Sequence, residues 1–290
     1  MIISRYIDPL TDWGFKHLFG SERNKDILND FLNELFEGEK HIVDIVYKQN
    51  DHTANSHDFN QAILELFCTE HTGEQFIIQL LCGKQHSFRE RSVYYTSSLI
   101  HEQISVRNES NSNELKEVYQ IAILDFHLEQ VFFKKYFHDI CLMDKETGVT
   151  FYNKLGYKFL ELPNFIKRAD ELENGLDRWF YLLKNMIYLE KKPPGFNKRI
   201  FEKVFQVAQL SNLTNEQEIS YTASLKQKRD YDNVFSSAFQ EAEKRKYTEG
   251  KQEGIQATKK ETARKLKDKG YPATEISELT DLSISEVESL

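Results

Sequence analysis

The first 165 residues alternate between helical and strand-like spacing of apolar side chains. Apolar residues three and four positions apart share one face of a helix, whereas β-branched and aromatic runs favour strands. This reading predicts helices near 15–19, at 25–35 and at 89–103, a polar loop at 49–60, and strands at 41–47, 62–69, 75–82, 118–126, 130–139 and 148–162. Strands interspersed with helices in this order indicate an α+β core.

Two of these strands are close enough in sequence to form a hairpin. Segments 62–69 and 75–82 are separated by a short turn, His71-Thr72-Gly73-Glu74, which contains the glycine that tight turns favour. We therefore predict that they pair in antiparallel fashion. Because side chains alternate between the faces of a strand, residues 79 and 81 must share a face.

The rest of the chain is predicted to be helical. From 164 to 240 the sequence is aromatic-rich and is interrupted by Pro193-Pro194-Gly195, and beyond 240 it becomes highly charged. Residues 272–290 resemble two short helices, and Ser283 followed by Glu286 is a capping box for the second. These changes suggest a core at 1–165, a helical region packed on it at 166–240, and a charged helix with a small helical module at 241–290.

Composition narrows the class of protein. A hydrophobic content of 40% and a formal charge of −8, from 38 basic and 46 acidic residues, exclude a disordered chain and a generally basic nucleic-acid coat. No apolar run approaches the ~18 residues of a membrane span. The N-terminus lacks the pattern of a signal peptide, and the three cysteines lack metal-type spacing. We expect a cytoplasmic protein with free thiols and no membrane partner.

The predicted hairpin carries the candidate chemistry. A carboxylate from each of two paired strands can hold Mg²⁺, and a polar residue two places further on can orient a metal-bound water. The corresponding positions are Glu65, Gln79 and Leu81, which we expect to point into one cleft. Glu65 is the only acid among them, since Gln79 is an amide and Leu81 has no polar atom.

Several stretches resemble the Rpn family of recombination-promoting nucleases, also described as PD-(D/E)XK nuclease family transposases. They are RYIDPLTDWGFKHLFGSERNKDILNDFLNELF, LELFC with GEQFIIQLL, RSVYYTSSLIHEQ, VYQIAILDF, LPNFIKRADELENGLDRWFYLLKNM and KLKDKGYPATEISELTDLSISEVESL. The resemblance covers essentially the whole chain. It implies a restriction-endonuclease-like fold, a mixed sheet flanked by helices, and Mg²⁺-dependent DNA cleavage linked to recombination or mobile elements.

The resemblance also implies a site. Family members typically carry Asp, Glu and Gln where this chain has Glu65, Gln79 and Leu81, so these three are the candidate catalytic residues and Glu65 is the candidate metal ligand. Asp12, in the N-terminal motif, is a fourth candidate. Since Asp12 and Lys16 are four residues apart on a helix, a surface ion pair is the alternative interpretation.

DNA is the partner that the resemblance implies, and a local basic cluster could contact its phosphates. Lys84, Arg89 and Arg91 follow the hairpin, although a solvated turn and helix start explains them equally well. The basic helix at 259–267 is a second candidate, and the C-terminal helices are a candidate surface for a homodimer or another protein. The aromatic residues Tyr94, Tyr95, Trp179 and Phe180 are interpreted as core.

Two hypotheses for function remain open. In the first, the chain is a metal-dependent endonuclease that works with an altered site. In the second, it is a catalytically inactive relative that keeps the fold as a module for DNA binding or protein interaction. The resemblance favours the first hypothesis, and the residues at the three site positions favour the second.

Overall fold

A computed structural model describes residues 4–48, 63–83, 87–105, 114–128 and 135–290. The chain divides into two compact units, Met1–Lys228 and Arg229–Leu290. The first unit contains a mixed sheet with helices, and the second is helical. A chain of 290 residues with one sheet and flanking helices is the α+β fold that the sequence predicts.

In its described residues, the first unit contains six strands and the helices around them. The strands are β1 Ile45–Lys48, β2 Ile63–Glu70, β3 Gln75–Leu81, β4 Val118–Leu124, β5 Phe137–Met143 and β6 Thr150–Glu161. The helices are α1 Asp12–Phe19, α2 Lys25–Leu35, α3 Phe88–Ser105, α4 Gly175–Asn185 and α5 Arg199–Ala208, followed by α6 Asn215–Asp268, which continues into the second unit.

The sheet has the order β1-β2-β3-β4-β6-β5. β2 and β3 form the predicted antiparallel hairpin, with Gly73 in the turn at a φ of +96°. β3, β4 and β6 run parallel, because α3 carries the chain back between β3 and β4. The two edges of the sheet are β1 and β5, each paired in antiparallel fashion with its neighbour.

Alternation along the central strands gives the sheet two apolar faces. One face, with Phe76, Ile78 and Leu80 of β3, belongs to the main core of the unit, together with α1, α2, α4 and α5. The other face packs against α3 in two smaller apolar clusters, one containing Leu81 and Phe88 and the other containing Ile77 and Leu99. Because β3 and β4 are buried on both faces, their sequences are nearly continuous apolar runs.

Aromatic packing holds the helices on the main core. The Trp179 ring, 1% exposed, lies 5.5 Å from Phe31 and 5.4 Å from Phe201, measured between ring centroids. Its indole Nε1 donates a hydrogen bond of 3.0 Å to Asp30. Trp179 and Phe180 are therefore core residues, as predicted, whereas Tyr94 is 70% exposed and is not.

The N-terminal motif anchors the start of α6. Tyr221 accepts a hydrogen bond from the backbone N–H of Asp8 at 2.9 Å, and Lys228 forms an ion pair of 2.8 Å with the Asp8 carboxylate. The Ser224 hydroxyl accepts a hydrogen bond from the backbone N–H of Trp13. Because these α6 residues are three and four positions apart, one helix face makes all three contacts.

The second unit is a small helical module. The end of α6 packs with α7 Ala273–Thr280 and α8 Ile284–Glu288 around Ala263, Ile276, Leu282 and Val287. The predicted capping box of Ser283 and Glu286 is present, and Asp281 makes the turn between α7 and α8 with a φ of 54°.

The structure changes one detail of the predicted organisation. Residues 130–134 of the strand predicted at 130–139 lie outside the described part of the chain, and the strand that pairs with β6, Phe137–Met143, extends beyond the predicted end at 139. The loop predicted at 49–60 lies outside the described residues. None of the described helices has the length and apolar content that crossing a membrane requires.

Candidate functional site

A row of three polar side chains crosses the α3 face of the sheet from β4 to β2. Gln120 Nε2 donates to Gln79 Oε1 at 2.5 Å, and Gln79 Nε2 donates to Glu65 Oε1 at 2.7 Å. Gln79 and Glu65 are direct partners in the β2–β3 register. We call Gln120, Gln79 and Glu65 the polar row. Since an ionised carboxylate only accepts hydrogen bonds, Glu65 fixes the orientation of the Gln79 amide.

Helix α3 supplies the remaining partners of Glu65. The hydroxyl of Tyr95 donates to the Glu65 carboxylate, and Arg91 contributes a favourable charge nearby. Arg91 also hydrogen-bonds Tyr95 and lies 5.9 Å from the centroid of its ring. Burial raises the pKa of Glu65, and the hydrogen bonds and the Arg91 charge offset that effect only in part.

The polar row is largely covered by α3. Gln79, Gln120 and Leu81 are each 1% exposed, whereas Glu65 is half-buried, and α3 packs over this face through Phe88, Tyr95 and Leu99. Leu81 shares the face of Gln79, as parity predicts, but it packs in an apolar cluster. That the three candidate side chains open into one cleft stays a prediction, and the apolar groups that flank the polar row hold the helix against the sheet.

The residues present do not fit a magnesium ion. Mg²⁺ is bound through carboxylates and retained waters, and the polar row offers one carboxylate that already accepts from Gln79 and Tyr95. The remaining acceptor, Gln120 Oε1, is buried without a partner, but it is a single neutral oxygen. The described part of the chain contains no group of three His, Cys, Asp or Glu side chains that could hold a metal ion.

A comparison with models of known protein families matches residues 9–238 to the PD-(D/E)XK nuclease family transposases. The match extends over most of the chain, from the N-terminal motif into α6. The chain belongs to this family. Comparisons with curated proteins and with solved structures find no match. The six-stranded mixed sheet with flanking helices is consistent with the PD-(D/E)XK fold.

Family membership places the polar row in context. PD-(D/E)XK nucleases generally use divalent metals, which proteins bind through acidic side chains. In this chain the hairpin predicted to carry the site brings Glu65 and Gln79 together, with an amide facing the carboxylate. The fold of the family is retained, whereas the donor set at the predicted position is not one that suits the metal.

Asp12 lies at the start of α1, where Thr11 caps the helix. Its carboxylate forms an ion pair of 2.7 Å with Lys16, which is the alternative that the sequence left open. The pair is solvent-exposed and contributes little to stability. A role for Asp12 in catalysis stays a prediction.

The candidate DNA contacts have different environments. Lys84 lies outside the described residues, Arg89 is exposed in the first turn of α3, and Arg91 is half-buried beside Tyr95. In the second unit, Lys259 pairs with Asp281, Lys265 pairs with Glu261, and Lys267 donates to the backbone carbonyls of Val287 and Glu288. Internal contacts therefore engage three lysines of the basic helix.

A second buried carboxylate lies on the same face of the sheet. Glu161, in register with Leu124 and Leu81 across β6, β4 and β3, is 1% exposed. His127 Nδ1 and His138 Nε2 donate to its two oxygens at 3.2 and 3.1 Å, and Asn164 and the Leu128 backbone donate as well. Glu161 thus ties β5 to the segment that follows β4.

Sequence reasoning missed two members of the site. Gln120 is the only polar side chain within the β4 run VYQIAIL apart from the Tyr119 hydroxyl, and that interruption is a signal that it needs a buried partner. The pattern predicts Tyr95 as a core residue and does not indicate a partner for its hydroxyl. Both residues meet Glu65 and Gln79 only through the β3–β4 register and the placement of α3.

Proposed function

We propose that this chain is a non-cleaving member of the PD-(D/E)XK nuclease family, a nuclease-fold module that binds DNA in the cytoplasm. The supporting observation is the polar row. A hydrogen bond of 2.7 Å from the Gln79 amide to Glu65 occupies the position where a second carboxylate would be needed to hold a metal. Without that metal, no group at the site can activate water or stabilise the charge that develops on phosphorus.

Cleavage by an altered but working site is the competing hypothesis. We would incubate supercoiled plasmid with the protein in Mg²⁺, Mn²⁺ or Ca²⁺, beside a Glu65→Ala variant. We expect no nicking by either protein. Metal-dependent nicking by the wild type that Glu65→Ala abolishes would show instead that the chain is an active metal-dependent endonuclease.

The triple variant Glu65→Asp, Gln79→Glu and Leu81→Gln tests whether only the side chains of the site have been lost. It returns the residues typical of the family to the hairpin, and we expect metal-dependent cleavage above the wild-type level. A folded triple variant that gains no cleavage would mean that other parts of the site or the groove for DNA have also been lost.

DNA binding is the part of the proposal that family membership supports. The formal charge of −8 makes binding by the whole surface weak, so affinity must come from local cations such as Arg89. We expect Arg89→Glu to weaken binding and to flatten the slope of log affinity against log salt by about one unit per lost phosphate contact. Arg168→Glu, at an exposed arginine of the loop between β6 and α4, is the matched control. No measurable affinity at ~50 mM salt would leave protein interaction as the function.

A further inference from the structure

Helix α3 is held on the sheet by apolar contacts at two points and by polar contacts between them. Phe88, the first residue of the helix, packs in a cluster with Leu81 of β3. Leu99, about three turns further along, packs in a second cluster with Ile77 of the same strand. Between the two clusters, hydrogen bonds supply the specific contacts that join the helix to the sheet.

Two of these hydrogen bonds reach strands on opposite sides of the helix. The Tyr95 hydroxyl donates to Glu65 of β2, and the Thr96 hydroxyl lies 2.9 Å from the hydroxyl of Tyr157 in β6. In the sheet, β3 and β4 separate β2 from β6. Neighbouring residues of an α-helix point about 100° apart, which is why adjacent side chains can reach these two strands. Together the two bonds fix the rotation of α3 about its own axis.

The contact with Glu65 is the stronger of the two. Hydrogen bonds to a carboxylate are about twice as strong as those between neutral groups, such as Thr96 and Tyr157. Arg91 adds a charge that is favourable to Glu65, hydrogen-bonds Tyr95 and lies 5.9 Å from the centroid of its ring. We call Glu65, Tyr95 and Arg91 the α3 anchor, because one strand residue holds two residues of the helix.

We propose that Glu65 is a positioning residue, which fixes the orientation of α3 through Tyr95 and Arg91. The orientation of the helix in turn sets the direction in which its first turn presents Arg89 to DNA. This inference rests on the proposed function, because it concerns the placement of a DNA contact. It assigns half-buried Arg91 to the α3 anchor and not to a phosphate. The residue that the family resemblance implies as a metal ligand thus serves to hold a helix.

Tyr95→Phe tests the anchor, since it removes the hydroxyl and keeps the ring that packs on the sheet. Amide hydrogen exchange of the full chain, followed by mass spectrometry, reports the opening of residues 88–96. We expect exchange there to be about tenfold faster, because a hydrogen bond to a charged acceptor is lost. Tyr94→Phe is the matched control. Tyr94 is the neighbouring tyrosine, is 70% exposed, and should lose its hydroxyl without any change in exchange.

Glu65→Asp tests whether the anchor depends on the reach of the side chain. The shorter residue keeps the charge but withdraws the carboxylate by about 1.5 Å, more than a hydrogen bond tolerates. We expect faster exchange of residues 88–96, as in Tyr95→Phe, and no further acceleration when the two changes are combined, because both remove the same contact. Unchanged exchange in Tyr95→Phe, or effects that multiply in the double variant, would overturn the anchor.

DNA binding separates positioning from direct contact. We would measure the affinity for a fluorescent duplex by anisotropy at several salt concentrations. Tyr95→Phe should weaken binding about threefold or more, because a smaller fraction of the protein has α3 in the competent orientation. The slope of log affinity against log salt should stay that of the wild type, since the bound state makes the same phosphate contacts. Arg89→Glu, by contrast, should flatten that slope.

Failure of this inference and failure of the proposed function give different results. DNA binding by the wild type with an equal affinity in Tyr95→Phe would leave the proposed function intact and overturn the positioning role alone. A wild-type chain without measurable affinity for DNA would overturn the proposed function and, with it, the role of Glu65 in placing a DNA contact. In that case the exchange rates would still decide whether Glu65 anchors α3.

Discussion

Replacing Gln79 by Glu tests whether the polar row is a metal site that lacks one carboxylate. The variant would put a second carboxylate against Glu65 Oε1, where the wild type has a hydrogen bond of 2.7 Å. Two unit charges ~4 Å apart repel by about 4 kcal/mol at an effective dielectric constant of ~20. Keeping one group protonated at pH ~7.5 also costs about 4 kcal/mol, because an ordinary Glu pKa lies about 3 units lower.

Whether both carboxylates stay charged or one becomes protonated, Gln79→Glu is predicted to lower the free energy of unfolding by about 4 kcal/mol near neutral pH. The loss should shrink by about 1.4 kcal/mol for each pH unit towards pH ~5, because a proton shared by the two carboxylates removes the repulsion. Millimolar Mn²⁺ should also reduce the loss at neutral pH, since a cation between two carboxylates binds the folded state alone.

The assay is urea unfolding followed by circular dichroism at pH ~5 and ~7.5, with and without Mn²⁺. Gln79→Met is the control, because it removes the amide without adding charge. It leaves Glu65 and Gln120 short of a partner, so we expect a loss of about 1–3 kcal/mol that metal does not change and that depends less on pH than the loss for Gln79→Glu. Equal losses for Gln79→Glu at both pH values, or an equal response of Gln79→Met to Mn²⁺, would refute the reasoning.

Three further predictions concern buried polar groups. Burial raises the folded-state pKa of Glu65, so the wild type is more stable at low pH and loses that stability as pH rises. The free energy of unfolding of Glu65→Gln, measured by urea titration, should therefore rise relative to that of the wild type between pH ~4.5 and ~7. Free energies of unfolding that change with pH in parallel would contradict this. Glu161→Leu should lower the free energy of unfolding by about 3 kcal/mol or more, measured by thermal unfolding, because the donors listed here lose their acceptor: His127, His138, Asn164 and the Leu128 backbone. Glu146→Leu, at an exposed position, should change the stability little. Trp179→Phe should lower the free energy of unfolding by about 1–3 kcal/mol, since the Asp30 carboxylate loses the indole donor at 3.0 Å. An unchanged melting temperature would mean that water replaces the indole as the hydrogen-bond donor to Asp30.

The sequence alone predicts those parts of the fold that depend on residues close together in the chain. The β2–β3 hairpin follows from two alternating runs and a turn that contains Gly73, and the direct pairing of Glu65 with Gln79 follows from that hairpin. The capping box of Ser283 and Glu286 follows from a spacing of three residues. Local rules suffice here because each partner lies within one turn or one hairpin of the other.

The position of the edge strand required more than local pattern. Residues 130–139 and Phe137–Met143 both contain apolar residues at strand-like spacing, so the pattern does not fix where the strand ends. Pairing with β6 decides, and Lys158 and Glu161 of β6 bind Asp139 and His138 of β5. Those contacts join residues about 20 positions apart in the β5–β6 hairpin. The hairpin contains bulges, and the spacing of apolar residues does not indicate where they lie.

The sequence by itself determined the α+β class and the family resemblance, and it predicted departures from the residues typical of the family at Glu65, Gln79 and Leu81, because these depend on residue identity and local spacing. Only the tertiary structure determined which side chains contact Gln79 and Glu65. Gln120 reaches Gln79 through a parallel strand pair, and Tyr95 reaches Glu65 from a helix packed across the sheet. Such juxtapositions depend on how the whole core closes, since apolar burial on both sides of the polar row holds α3 over it.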